Sequence, residues 1–116
     1  MRILNALAAL SGLAALALLV VSSHHMQDAT PAEIENLRLA SFVQLISAAA
    51  CLAIANRDGR LNLIGGLLVI AGAALFSSGV ATHVLAHTTA LLLLAPIGGT
   101  AMMLGWLTLA FAKPRA

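Results

Sequence analysis

Four apolar stretches divide this chain of 116 residues, and their length constrains the fold more than any other feature. They contain a single charged residue, Arg38, and each is close to the roughly 20 residues that a helix needs to cross a bilayer. Charged residues make up 9% of the chain, whereas a soluble domain carries about a quarter. We therefore predict an all-α integral membrane protein, a single domain over residues 1–116 with a four-transmembrane-helix bundle. The predicted spans are residues 3–21, 37–55, 61–85 and 90–112.

The first stretch has two interpretations. It could be a secretory signal peptide, with Arg2 as its basic end and a cleavage site near Val21. Signal peptides have apolar cores of about 7 to 15 residues, and this stretch is longer. It also contains Ser11 and Gly12, small residues that suit a packed helix face. We favour an uncleaved spanning helix.

The polar segment before the second stretch contains the pattern of a helix start. Thr30 can cap the helix, Pro31 suits the first helical position, and Glu33 can complete a capping box by reaching back to Thr30. We predict that helix 2 begins near Pro31, with its polar first turns outside the membrane.

Pro96 interrupts the last stretch, because a proline inside a helix loses a hydrogen bond and collides with the carbonyl four residues earlier. Two arrangements are compatible with this. Helix 4 is either one kinked span from about Thr89, or a span that begins with Pro96 in its first turn after an apolar loop or half-helix. We favour the second.

The basic residues indicate an orientation. With four spans, five of them fall on one side of the membrane and only Arg38 on the other. Because positive charge accumulates on the inner side, both termini are expected to be cytoplasmic in a bacterial inner membrane, or on the matrix side in a mitochondrion. The five are Arg2, Arg57, Arg60, Lys113 and Arg115.

Small residues recur on the predicted helices, where they allow close backbone approach. Helix packing within the chain is the favoured explanation, and a surface for a larger membrane complex or a homo-oligomer is the alternative. The C-terminal residues that we assign to a helix-packing motif are Pro96, Gly98, Gly99, Gly105 and Trp106; helix 3 contributes Gly65, Gly66, Gly72, Ala73, Ser77 and Ala81.

The four histidines are predicted to lie at one membrane surface. His24 and His25 follow helix 1, while His83 and His87 are spaced by four near the end of helix 3. Two imidazoles one turn apart can chelate an ion, and such a cluster can also change charge between about pH 5 and 7. A purely structural role is the favoured interpretation, with haem, metal or quinone binding and pH sensing as alternatives.

Motifs of known catalytic chemistry are missing from the sequence. No phosphate-binding loop, nucleophile elbow or HExxH pattern occurs, and Cys51 is the single cysteine. Gln44 is the most polar side chain within a span and is expected to hydrogen-bond between helices. We predict a protein that is not an enzyme, has no cofactor, binds no nucleic acid, and acts as a structural or accessory membrane component.

Three motifs stand out in the C-terminal half: Leu75-Phe76-Ser77-Ser78-Gly79, Ala95-Pro96-Ile97-Gly98-Gly99 and Leu104-Gly105-Trp106-Leu107. They resemble the motifs of a family of small membrane proteins, domain of unknown function 423, which includes animal transmembrane protein 256. Ser22-Ser23-His24-His25 is similar to the family's histidine motif at the end of helix 1. The resemblance implies a four-helix inner-membrane protein and brings no established activity.

The chain also departs from the family's pattern. It has no tyrosine, and the segment containing Ser41 and Gln44 stands where the family has Gln-Tyr followed by a histidine. Ala95 replaces a threonine before the proline. A family function resting on a histidine pair between helices 1 and 2 would therefore be lost here, or rebuilt with His25, His83 or His87.

Overall fold

Long runs of apolar and small residues without internal charge favour helix, since in lipid every backbone polar group must be satisfied within the segment. A computed structural model describes residues 2–24, 29–87, 89 and 92–112. Those residues form helices α1 to α4 in chain order. Their bounds are Arg2–His24, Pro31–Ile54, Arg60–Ala86 and Leu94–Ala110.

The start of α2 confirms the predicted capping box. The backbone N–H of Glu33 donates to the Thr30 hydroxyl at 3.2 Å, and the Glu33 carboxylate accepts from the backbone N–H of Thr30 at 3.2 Å. Pro31 occupies the first helical position, where its missing N–H leaves no bond unmade. The local sequence alone thus determines where this helix begins.

Three of the four helices have the length and apolar composition needed to cross a membrane. α3 has 27 residues, about 40 Å at 1.5 Å per residue. α4 has 17 residues, about 25 Å, and is shorter than the roughly 30 Å hydrocarbon core. Residues 90 and 91, where the predicted fourth span begins, lie outside the described part of the chain.

The helices pack mainly in chain order. α1 lies on α2, α2 on α3, and α3 on α4, while α1 also touches α3 where Leu4 packs over Gly66. No described residue of α1 has its Cα atom within 8 Å of one in α4. The core at the joint of the first three helices consists of Leu4, Ala8, Ala48, Cys51, Ile54, Ala55, Val69 and Ile70.

Buried polar side chains link neighbouring helices through backbone carbonyls. Gln44 Nε2 donates to the Ser11 carbonyl oxygen at 2.9 Å, as the sequence predicted for an interhelical hydrogen bond. Ser77 Oγ donates to the carbonyl oxygen of Ala40 at 3.2 Å. Cys51 Sγ contacts the carbonyl oxygen of Gly66 at 3.3 Å. These bonds fix α2 against both of its neighbours.

Two glycine pairs bring the backbones of α3 and α4 into close contact. A Cβ atom at Gly72 would lie 2.6 Å from the Gly98 carbonyl oxygen, and one at Gly98 would collide with the Gly72 carbonyl oxygen. Two turns away, a Cβ at Gly105 would lie 2.9 Å from the Gly65 carbonyl oxygen. Real Cβ atoms do not approach so closely, so only glycine fits. We call these four residues the glycine seam.

The seam also fixes where α4 begins. Since Gly98 faces Gly72 and Gly105 faces Gly65, the two helices are antiparallel and Leu94 lies near the level of Phe76. About ten residues of α3, roughly 15 Å, therefore extend beyond the start of α4.

Pro96 lies in the first turn of α4, which is the arrangement favoured from the sequence. Proline contributes no N–H there, and the N–H of Ala95 donates to the Leu92 carbonyl oxygen at 3.2 Å. Both features reduce the number of unpaired donors at a helix start that lies below the end of α3.

Adjacent glycines in α4 provide a matched test of the seam. We expect Gly98→Ala to lower the free energy of unfolding by about 1–3 kcal/mol, because the added methyl meets rigid backbone. Gly99→Ala, whose new Cβ has no atom within 4 Å apart from its chain neighbours and the backbone of its own helix, should leave it unchanged or raise it by up to about 1 kcal/mol. Unfolding in mixed micelles with increasing dodecyl sulfate, followed by circular dichroism, measures both. Equal losses in the two variants would contradict the seam.

Candidate functional site

Three of the four histidines of the predicted cluster are described, and they lie at one end of the molecule, where α1 and α3 end and α2 begins. His24 is the last residue of α1, and its Nδ1 lies 3.2 Å from the carbonyl oxygen of Val20. His83 is in the last turn of α3. His25 lies outside the described residues.

His87 is placed differently from what its spacing suggests. α3 ends at Ala86, and His87 caps it in the left-handed conformation with φ 53° and ψ 34°. A left-handed residue departs from the regular helix, so the spacing of four residues does not by itself place His83 and His87 on one helical face. Among the described residues, no group of three histidine, cysteine, aspartate or glutamate side chains has the arrangement of a metal site.

Glu33 lies at the same end of the protein as His83 and His87. The carboxylate precedes the predicted span 37–55, in the polar first turn of α2. The hydrogen bonds from the Thr30 backbone and side chain lower the pKa of Glu33, and its electrostatic interaction with His87 and His83 lowers it further. The predicted topology already indicates this proximity, because the start of helix 2 and the end of helix 3 lie on the same side of the membrane.

The residues of the predicted packing motif divide into two groups. Gly98 and Gly105 are buried against α3. Pro96 is exposed, Gly99 faces open space on the neighbouring side of α4, and the Trp106 side chain is 46% exposed. The glycine seam thus uses two of the five residues and adds Gly65 and Gly72 from helix 3.

Large apolar side chains cover the outward faces of the two terminal helices. In the described part of α1 these faces are lined by Ile3, Leu7, Leu10, Leu13, Leu16 and Val20, and in α4 by Ile97, Met103, Leu104, Trp106 and Leu107. Water-soluble monomers rarely expose contiguous apolar surface of this extent, whereas lipid is a favourable neighbour for it.

Helix length, apolar surface and scarcity of charge together define a small, all-helical, multi-pass membrane protein. The family model described as Protein of unknown function (DUF423) matches residues 13–99, and the chain belongs to this family. The match confirms the resemblance drawn from the sequence motifs, although Gly105 and Trp106 lie beyond its end. Comparison with curated proteins and with solved structures gave no significant match.

The pH dependence of thermal stability below neutral pH tests whether the Glu33 carboxylate stabilises the fold. Its pKa in the folded protein lies below the usual 4.5, so the charged form stabilises the fold above pH 4.5 and this contribution is lost as the pH falls through the lowered pKa. Glu33→Gln keeps an oxygen that accepts from Thr30 but removes the charge. We expect the thermal unfolding midpoints of the native protein and Glu33→Gln to differ near neutral pH and to converge in acid. Parallel profiles across the whole range would contradict the assignment.

Proposed function

We propose that this protein is a non-catalytic accessory component of a bacterial inner membrane, in which four helices cross the bilayer and a larger membrane complex packs against the terminal helices. The observation that supports the proposal is that buried polar side chains of the protein bond within the chain and leave apolar surface outside. Gln44, Cys51 and Ser77 bond to backbone within the chain, while the outward faces of α1 and α4 are apolar.

The placement of α1 and α4 favours a protein partner in addition to lipid. Each of these helices packs on the rest of the chain along one side and is open elsewhere. Small membrane subunits add packing area to a complex through such faces, because close helix contacts provide cohesion in lipid.

The orientation with both termini cytoplasmic is supported by the basic residues. Arg57 lies between α2 and α3, and Arg60 is the first residue of α3, on the side opposite to the Glu33 and histidine end. Arg2 at the start of α1 lies on the side of these two arginines, because α1 and α3 run in the same direction. A cluster of positive charge on that side is typical of the cytoplasmic face.

Site-specific photocrosslinking in native membranes tests the partner. Benzoylphenylalanine in place of Leu13 on α1, which is 66% exposed, and of Met103 on α4, which is 70% exposed, should each yield a crosslinked adduct with a discrete membrane protein. Ile46 on α2, which is 62% exposed, is the matched control and should give lipid adducts. Mass spectrometry of the bands identifies the partner.

Crosslinking to lipid alone would contradict the proposal. If Leu13, Met103 and Ile46 all crosslink to lipid alone in cells with normal levels of the protein, the terminal helices are covered by bilayer and the accessory role is wrong. An adduct between two copies of the chain would show that the partner is a second copy of the protein and that the assembly is a homo-oligomer.

A further inference from the structure

A cleft opens between α1 and α3 on one side of their contact at Leu4 and Gly66. Its volume is about 410 Å³, within the roughly 300–1,000 Å³ range of small-molecule sites. Leu7 and Leu10 of α1 line one wall, and Ala71 and Ala74 of α3 line the other. The cleft is therefore apolar and bordered by side chains that face the bilayer.

Two polar side chains of the cleft have unused hydrogen-bonding capacity. Gln44 of α2 is 7% exposed, and its Nε2 donates to the Ser11 carbonyl oxygen. No residue that the structure describes donates to Gln44 Oε1. The Ser11 hydroxyl, which is buried beside it, also has no partner among those residues.

Among the buried side-chain hydroxyls that the structure describes, Ser11 differs from the others in this respect. The hydroxyls of Ser22, Ser41, Ser77, Thr82, Thr100 and Thr108 all donate to backbone carbonyls. A buried polar atom without a partner costs about 1–3 kcal/mol, and inside a bilayer water does not relieve it. An acceptor at Gln44 Oε1 next to a donor at Ser11 Oγ is complementary to one hydroxyl group, which both donates and accepts.

We propose that this cleft binds one membrane-soluble molecule through a hydroxyl at its head. The hydroxyl donates to Gln44 Oε1 and accepts from the Ser11 hydroxyl, which is enclosed in the free protein and turns toward the cleft on binding. The apolar remainder of the ligand lies along Leu10 and Ala74 toward the lipid. An isoprenoid quinol and a diacylglycerol both present this chemistry. The site is separate from the histidine end and goes beyond the proposed accessory function.

The length of the cleft favours a small ligand over a helix from another protein. The lining residues run from Leu7 to Ser11 on α1, about 6 Å, and from Leu67 to Ala74 on α3, about 10 Å or two helical turns. A docking helix would need an apolar groove along several turns.

Ligand binding to the purified protein in phosphatidylcholine nanodiscs tests the proposal. The probes are decylubiquinol, its oxidised form decylubiquinone, and 1,2-dioctanoylglycerol, followed by native mass spectrometry and by the thermal unfolding midpoint. One of the hydroxyl-bearing probes should bind one to one and raise the midpoint. Decylubiquinone, which lacks a hydroxyl donor, should bind about tenfold more weakly or not at all. Comparison of quinol with diacylglycerol identifies the source of the hydroxyl.

Three variants locate the site. Gln44→Leu should weaken binding about tenfold. Because that change also removes the bond to Ser11, Ala74→Phe provides an independent test by filling the cleft from its rim, and it should abolish binding. Ala49→Phe places the same ring at an exposed alanine of α2 that does not line the cleft, and it should bind like the native protein.

Two results would overturn the proposal. The first is that no probe binds the native protein more tightly than it binds Ala74→Phe. The second is that benzoylphenylalanine at position 74 crosslinks to another protein in native membranes, which would make the cleft a helix-docking surface. Leu13, Met103 and Ile46, where crosslinking tests the accessory role, do not line the cleft, so the two proposals fail separately.

Discussion

The backbone contact between α3 and α4 at the glycine seam is the constraint on which the C-terminal half of the protein depends. α4 has only 17 residues, so it cannot gain additional helix contacts through length. Among the described helices, its backbone closely approaches only that of α3. Lipid tails compete with apolar side chains for contact, so cohesion has to come from surfaces that fit closely. The seam supplies such a surface because Gly72 and Gly98 have no Cβ atoms to separate the helices.

The first three helices are held by a different device. Gln44, Cys51 and Ser77 each reach a backbone carbonyl of a neighbouring helix, which removes polar side chains from contact with lipid. In a medium without water these bonds gain importance, since the alternative is an unsatisfied group. The outer surface of the described helices is consequently apolar, whereas the Ser11 hydroxyl, buried beside Gln44, has no partner in the described part of the chain. The proposed accessory role follows from the apolar outer surface, and the proposed ligand site follows from Gln44 Oε1 and the Ser11 hydroxyl, which have no partner among the described residues.

Local features were predictable from the sequence and tertiary ones were not. The capping box at Thr30 and Glu33 depends on four neighbouring residues. The position of Pro96 in the first turn of a helix follows from the proline ring alone, since the ring is poorly tolerated in a helix interior. By contrast, Gly65 and Gly66 face α4 and α1 respectively, and Gly98 packs while Gly99 is open. Adjacent residues differ by about 100° around a helix, so only the partner helix decides which glycine matters. The left-handed cap at His87 likewise depends on how α3 ends, which its spacing from His83 did not indicate.

The register between α3 and α4 is the most direct test of the seam. Leu68 and Ala101 border the same groove along this contact, so cysteines at these two positions in a Cys51→Ala background should form a disulfide on mild oxidation in membranes. The matched pair at Leu68 and Thr108, two turns along the same face of α4, should remain reduced. Crosslinking of the second pair in preference to the first, or of both equally, would contradict the register that places Gly72 on Gly98 and Gly65 on Gly105.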